Sequence, residues 1–85
     1  MTILSIVMPV FNAEKYIKYS IESILNQTFK DFEFIIINDG SRDNSSNIIE
    51  SYSAKDERIK LVSQNNSGAS NAFNKGLSIA RGEYI

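Results

Sequence analysis

Phe32-Glu33-Phe34-Ile35-Ile36-Ile37, stopped by Asn38-Asp39-Gly40, is the stretch that decides the fold. Aromatic and β-branched residues fill it almost throughout, which suits a pleated strand buried on both faces, and the Asn-Asp-Gly that follows has turn chemistry. A strand without a polar face must lie between neighbours, so the reading is a central strand over 32–37. Upstream, Ile3-Leu4-Ser5-Ile6-Val7-Met8 is a second nearly continuous apolar run, closed by Pro9, which cannot donate to a ladder. Downstream, Ile59-Lys60-Leu61-Val62 follows the turn Lys55-Asp56-Glu57-Arg58, read as a solvated run of mixed sign, and breaks at Asn65-Asn66-Ser67-Gly68.

Between these runs the apolar period changes to that of a helix. Ile17, Ile21, Ile24 and Leu25 fall at offsets 0, 4, 7 and 8, predicting a helix over 13–26 with Asn12 as its N-cap. Tyr16 and Tyr19 are placed over the edge of the core. Ile48, Ile49 and Tyr52 give a thinner stripe for a second helix of about ten residues, with cap candidates from Ser41 to Asp43. Ala69, Ala72, Phe73, Gly76, Leu77 and Ala80 form a third face, of mostly small residues that allow close packing on a sheet, and this helix is expected to end near Arg81-Gly82. Glu83-Tyr84-Ile85 reads as the opening of a fourth strand. Alternation of strand and helix implies parallel pairing, so the fold class is α/β, a half-Rossmann three-layer βαβαβα unit with a parallel sheet.

Composition removes several classes of function. The 85 residues carry nine Lys and Arg against ten Asp and Glu, a net charge of −1, without the basic footprint that nucleic-acid binding requires. Cys and His are both absent, which excludes disulfides, thiol nucleophiles and histidine bases or ligands, and leaves acid–base work to carboxylates. No apolar run approaches the roughly 20 residues of a membrane span, and Met1-Thr2-Ile3-Leu4 lacks the features of an export signal. The expectation is a cytoplasmic segment. No GxGxxG follows the first strand and no GxxxxGK[ST] occurs, so dehydrogenase and P-loop readings fail.

In such sheets the loops leaving the carboxyl ends of the strands meet on one rim, where ligands bind. Here they are Pro9 to Asn12, Asn38 to Asp43 and Gln64 to Gly68. Asp39 can accept a hydrogen bond from the ring N–H of uracil, while cytosine presents a lone pair at that position and is repelled; equally, it can cap a turn or the second helix. Phe11 can lie against a planar base or belong to the core. Asn12 and Asp43 are each candidates for a cap or a ligand contact. Asn66-Ser67-Gly68 opens the third helix, whose free amides attract an anion, although every helix start has that property.

Taken in order, Ser5-Ile6-Val7-Met8-Pro9-Val10-Phe11-Asn12, Asp39-Gly40-Ser41-Arg42-Asp43-Asn44-Ser45 and Asn66-Ser67-Gly68 resemble inverting glycosyltransferase family 2 over the whole chain. The resemblance implies a GT-A fold whose N-terminal half binds the nucleotide of a UDP-sugar donor, with Phe11 as the base-stacking ring and Asp39 as the uracil-reading carboxylate. Pro9, Val10 and Asn12 would shape the same pocket. Where the family has Ala-Arg-Asn-x-Gly, this chain reads Ala72-Phe73-Asn74-Lys75-Gly76. Phe73 is therefore assigned to the core and Lys75 becomes the candidate substitute for the basic residue. The family pattern continues past Gly82-Glu83-Tyr84-Ile85 to an Asp-x-Asp that holds Mg2+ or Mn2+ and to a catalytic carboxylate. Residues 1–85 are thus expected to be an incomplete domain that binds donor without transferring sugar. Acceptor saccharide or lipid-linked glycan, and any membrane association, would belong to the full-length enzyme in polysaccharide or glycoconjugate synthesis.

The alternative is a noncatalytic assembly module, pairing into a homo-oligomer through an open sheet edge. A signalling receiver domain needs an acidic pair after the first strand and a phosphoacceptor Asp after the third; Asn12 and Ser63-Gln64 stand there instead.

Overall fold

The computed structural model describes residues 4–27 and 30–82. Three strands alternate with three helices: β1 (Leu4–Val10), α1 (Ile17–Leu25), β2 (Phe32–Asp39), α2 (Ser45–Ser53), β3 (Ile59–Gln64) and α3 (Ala69–Ile79). The sheet is parallel with order β1-β2-β3, so the strand read as central is central. Every residue of β2 is buried. The fourth strand expected at 83–85 lies outside the described residues.

Alternation along β2 assigns the two layers. Phe32, Phe34 and Ile36 join Val10, Ile17, Ile21, Ile49 and Ile59 in one cluster, which puts α1 and α2 on one face of the sheet. Ile35 and Ile37 pack with Ala72 and with Val7 and Val62 on the other face, under α3. Phe34, Ile35, Ile36 and Ile37 are fully buried, and each such side chain stabilises the fold by roughly 1.5–3 kcal/mol relative to exposure. Small residues bring α3 close: a Cβ added at Gly76 would sit 2.2 Å from Val7 Cγ1.

Several boundaries move for identifiable reasons. β1 continues through Pro9 to Val10, which a strand at the edge of the described sheet tolerates because one flank needs no amide donor. α1 starts at Ile17, not 13, and Asn12 is not its cap. Asn12 has φ 49, a left-handed conformation that Asn accepts more readily than most residues. The amides of Ala13 and Glu14 donate sideways to Ser45 Oγ and Asp43 Oδ2 at 2.9 and 3.2 Å, so this segment closes a turn before the helix begins. Phe73 is 39% exposed, correcting its assignment to the core; at its position on α3 the buried stripe is Ala72 and Gly76. Tyr16 and Tyr19 likewise point outward instead of covering the core edge.

The 55–58 turn is less solvated than its charge suggested. Arg58 pairs with Asp56 at 2.7 Å, donates to the Lys30 carbonyl at 3.1 Å, and lies 4.4 Å above the Phe32 ring. That cation–π contact closes the end of the core opposite the carboxyl rim.

On the α3 face, Glu33 is a buried charge, 2% exposed. Its Oε2 accepts from the Ser5 hydroxyl at 2.6 Å and from the amides of Arg81 and Gly82, while Oε1 accepts from Lys60 Nζ at 2.9 Å. Burial alone would raise its pKa; the Ser5 bond, Lys60 and the Arg81 amide outweigh that and hold it at about 2. Glu33 thereby ties the segment after α3 back to β1 and β2.

Candidate functional site

The carboxyl rim is assembled by bonds between loops. Ser41 N donates to Asn38 Oδ1 at 3.1 Å, which starts the turn after β2. Asn12 then links that turn to β1: its amide donates to Ser41 Oγ at 2.9 Å, and its Oδ1 accepts from Arg42 N at 2.8 Å. Asp43 is shared in the same way, accepting from Ser45 N at 2.9 Å and Glu14 N at 3.2 Å. The Ser45 bond is the leading reason that the Asp43 carboxyl is held below its ordinary range. The N-cap of α2 is Asn44 and not one of the candidates from Ser41 to Asp43; Asp43 stands one residue before it, holds the Ser45 amide and orients the neighbouring loop.

The third loop is fixed by Asp39, which is 2% exposed. Oδ1 accepts from Gln64 Nε2 at 2.9 Å and Ser67 N at 3.0 Å; Oδ2 accepts from Gly68 N at 2.9 Å and Asn66 Nδ2 at 3.3 Å. The Gln64 bond is the largest cause of a lowered Asp39 pKa; burial opposes it, and the Ser67 and Gly68 amides add to it. Asp39 therefore braces the loop that leads into α3, whereas the local reading had placed it as a cap on a turn or on the second helix; α3 itself has Gly68 as its N-cap, without a side-chain cap bond. Gly40 allows the loops to meet: with φ 77, a Cβ there would lie 2.7 Å from Asn66 N.

Between the loops is a cleft of about 490 Å³ lined by Phe11, Asn12, Gly40, Arg42, Asn65 and Asn66. Phe11 is 51% exposed, which decides against its core reading and leaves an aromatic face open beside amides and one guanidinium. An aromatic face, amide donors and acceptors, and a cation can hold a planar heterocycle bearing an anionic group. A second hollow, of about 630 Å³, lies over residues 53–58 at the opposite ends of the strands; its lining is a charged turn without an exposed aromatic ring.

The cleft gathers Phe11, Asn12 and Asn66 from among the sequence candidates. Asp39 and Gly68 lie in the bonded network that positions its third wall. Pro9 and Val10 belong to β1, with Val10 in the core, and do not line it; Asp43 holds the loop behind Asn12. Lys75 is exposed on α3 and lines neither hollow. Gly40, Arg42 and Asn65 were missed. The signal for Arg42 was a cation inside the Asp-Gly-Ser-x-Asp turn, and for Asn65 its place beside Asn66 in a loop already assigned to the rim.

The described residues do not fit a divalent metal site, since no group of three or more Asp, Glu, His or Cys converges among them. No helix among the described residues is long and apolar enough to cross a membrane.

Comparison with known proteins places this rim in a family context. Residues 5–85 match the model of Glycosyl transferase family 2. The glycosyltransferase EpsJ of Bacillus subtilis is 45% identical over 83 residues, 98% of this chain and 24% of EpsJ. TarS of S. aureus, solved in complex with UDP, superposes with a TM-score of 0.84 at 30% identity, covering 100% of this chain and 27% of that one. The mannosyltransferase PcManGT of Pyrobaculum calidifontis, solved with GDP-Man and Mn2+, shares the fold at a TM-score of 0.84 and 18% identity, covering 92% of this chain and 24% of its own. The chain spans about a quarter of the length of EpsJ and of the TarS 1–349 chain. With a family match across nearly its whole length on a parallel α/β scaffold, the chain belongs to glycosyl transferase family 2.

Proposed function

We propose that residues 1–85 are the donor-nucleotide-binding part of an inverting glycosyltransferase domain, taking a UDP-sugar in the cleft at the carboxyl rim. The observation that carries this reading is the half-exposed Phe11 ring in a cleft walled by loops from all three strands. The uracil ring stacks on Phe11, while Asn12 and Asn66 line its flanks. Pro9, Val10, Asp43 and Gly68 hold the cleft's shape from behind, and Lys75 remains a candidate for contact with the rest of the donor. The UDP complex of TarS supports this choice of nucleotide over the GDP seen with the more distant mannosyltransferase.

Asp39 is the residue proposed to read the base. A carboxylate offers about four lone-pair sites, and the structure already directs donors from Gln64, Asn66, Ser67 and Gly68 at them. Accepting the uracil N–H therefore proceeds by exchange: the ring donor displaces the Gln64 amide, while the backbone amides of Ser67 and Gly68 keep the loop in place.

In this reading the Mg2+ or Mn2+ of the complete enzyme and its catalytic base come from further sequence, and residues 1–85 alone bind donor without transferring sugar. The acceptor, a saccharide or lipid-linked glycan, is likewise engaged elsewhere in the full protein. Titration of the purified chain with UDP, CDP and GDP tests the proposal. UDP is expected to bind in preference to the other two, and Asp39→Asn to remove that preference. Equal binding of all three, or no binding at millimolar concentration, would overturn it.

A further inference from the structure

Arg42 carries the one charged side chain in the lining of the rim cleft. Its backbone amide is fixed by Asn12 Oδ1 at 2.8 Å, but its guanidinium has no hydrogen bond or ion pair among the described residues. The acidic groups nearby are already engaged. Asp43 accepts from the amides of Glu14 and Ser45, Glu14 Oε2 accepts from Asn44 N, and Asp39 is turned to the third loop. Arg42, exposed and without a side-chain bond among the described residues, thus lines a concave site that also presents an exposed aromatic ring.

We infer that Arg42 is the residue that binds the diphosphate of the donor nucleotide, an inference that rests on the nucleotide reading of the cleft. The planar guanidinium matches phosphate oxygens in a bidentate way that a lysine ammonium does not. Holding the Arg42 backbone through Asn12 reduces the freedom lost when the phosphate is bound, since only the side chain remains to be ordered. Phe11 and Arg42 would then divide the ligand between them, the ring taking the base and the guanidinium the charge. Lys75 lines neither hollow and so is not the main phosphate contact.

The test is titration of the purified chain and its Arg42→Ala and Arg42→Lys variants with uridine and UDP, with thermal unfolding as a check on folding. Arg42→Ala is expected to weaken UDP about tenfold or more and to leave uridine within about twofold, because a hydrogen bond to a charged group is lost only for the diphosphate. Arg42→Lys should recover part of the loss. Unchanged UDP affinity in Arg42→Ala overturns the inference while leaving the nucleotide reading intact. Equal weakening of uridine and UDP also overturns it, placing the guanidinium against the base. A wild-type chain that binds neither ligand removes the nucleotide reading and this inference together.

Discussion

Asp39 and Gln64 are register partners on β2 and β3, and the Gln64 side-chain amide donates to Asp39 Oδ1 at 2.9 Å. The central strand and its neighbour thus end in a cross-strand bond, and the same carboxylate receives the amides of the loop that follows β3. One acidic side chain sets where the third loop lies, and through Gly40 and Asn66 it sets a wall of the cleft.

Gln64→Leu should raise the Asp39 pKa toward the ordinary carboxylate range, because the Gln64 bond is the largest cause of its depression. A carboxyl whose folded pKa is lowered stabilises the fold above its unfolded pKa and loses that contribution as pH falls through the folded value. The variant should therefore lose less stability on acidification. Carboxyl-carbon NMR titration of Asp39 measures this directly, and an unmoved titration would show that Gln64 is not what holds the charge. UDP binding should persist in Gln64→Leu, since the competing donor rather than the acceptor has been removed.

Glu33 gives a second acid-sensitive element. Its pKa is lowered from 4.5 to about 2, so its full contribution is present above about pH 4.5 and is lost as the pH falls toward 2, where the unfolded chain binds the proton first. Glu33→Gln should flatten that acid slope while its remaining carbonyl accepts from Ser5, Arg81 and Gly82. Glu33→Ala leaves the Arg81 amide without an acceptor, while the Gly82 amide keeps Ser5 Oγ at 2.8 Å, and should cost more, about 1–3 kcal/mol for the donor left unpaired. Urea unfolding of both variants across this pH range checks the order; Glu33→Ala unfolding at the same urea concentration as Glu33→Gln would contradict it.

Where the sequence was legible, burial dominated. Residues 32–37 have no polar face, so a central strand was the available solution, and the offsets of Ile17, Ile21, Ile24 and Leu25 fixed the buried side of α1. What was illegible depended on partners distant in the chain. Nothing near Asn12 indicates that it will bond the Arg42 amide, and nothing near Asp39 that it will accept from the Gly68 amide 29 residues on. Asn and Asp beside a strand end read locally as caps, and the competing tertiary bonds appear only once the three loops share a rim. Phe73 failed for a different reason: a helical stripe gives a direction, but the close approach demanded by Gly76 narrows the buried strip and leaves the ring at its border.

That close approach is itself testable. Gly76→Ala drives a methyl to within 2.2 Å of Val7 Cγ1, so either α3 lifts or Val7 leaves its position, at a cost of about 1–3 kcal/mol. Val7→Ala alone makes a cavity beneath the helix. The double variant Val7→Ala, Gly76→Ala should be more stable than the sum of the single effects predicts, because the new methyl occupies part of the vacated space. Chemical denaturation of all four proteins closes the cycle, and additive effects would mean that the helix yields elsewhere.

Phe11 separates folding from ligand recognition more cleanly than any other rim residue. Half of its surface is already exposed, so Phe11→Ala should change stability by no more than about 0.5 kcal/mol, in contrast to truncation of a buried ring. If the ring stacks on the base, the same change should weaken uridine and UDP by the same factor, about two- to tenfold, since an aromatic contact contributes about 0.5–1.5 kcal/mol beyond burial. Phe11→Tyr, which keeps the face, should restore both affinities. Loss confined to UDP would place the ring near the diphosphate, and unchanged affinity for both would leave the exposed side chain without a role in the cleft. Because the expected Arg42 pattern discriminates between uridine and UDP and the expected Phe11 pattern does not, calorimetric titration of the two variants against both ligands locates each end of the nucleotide independently.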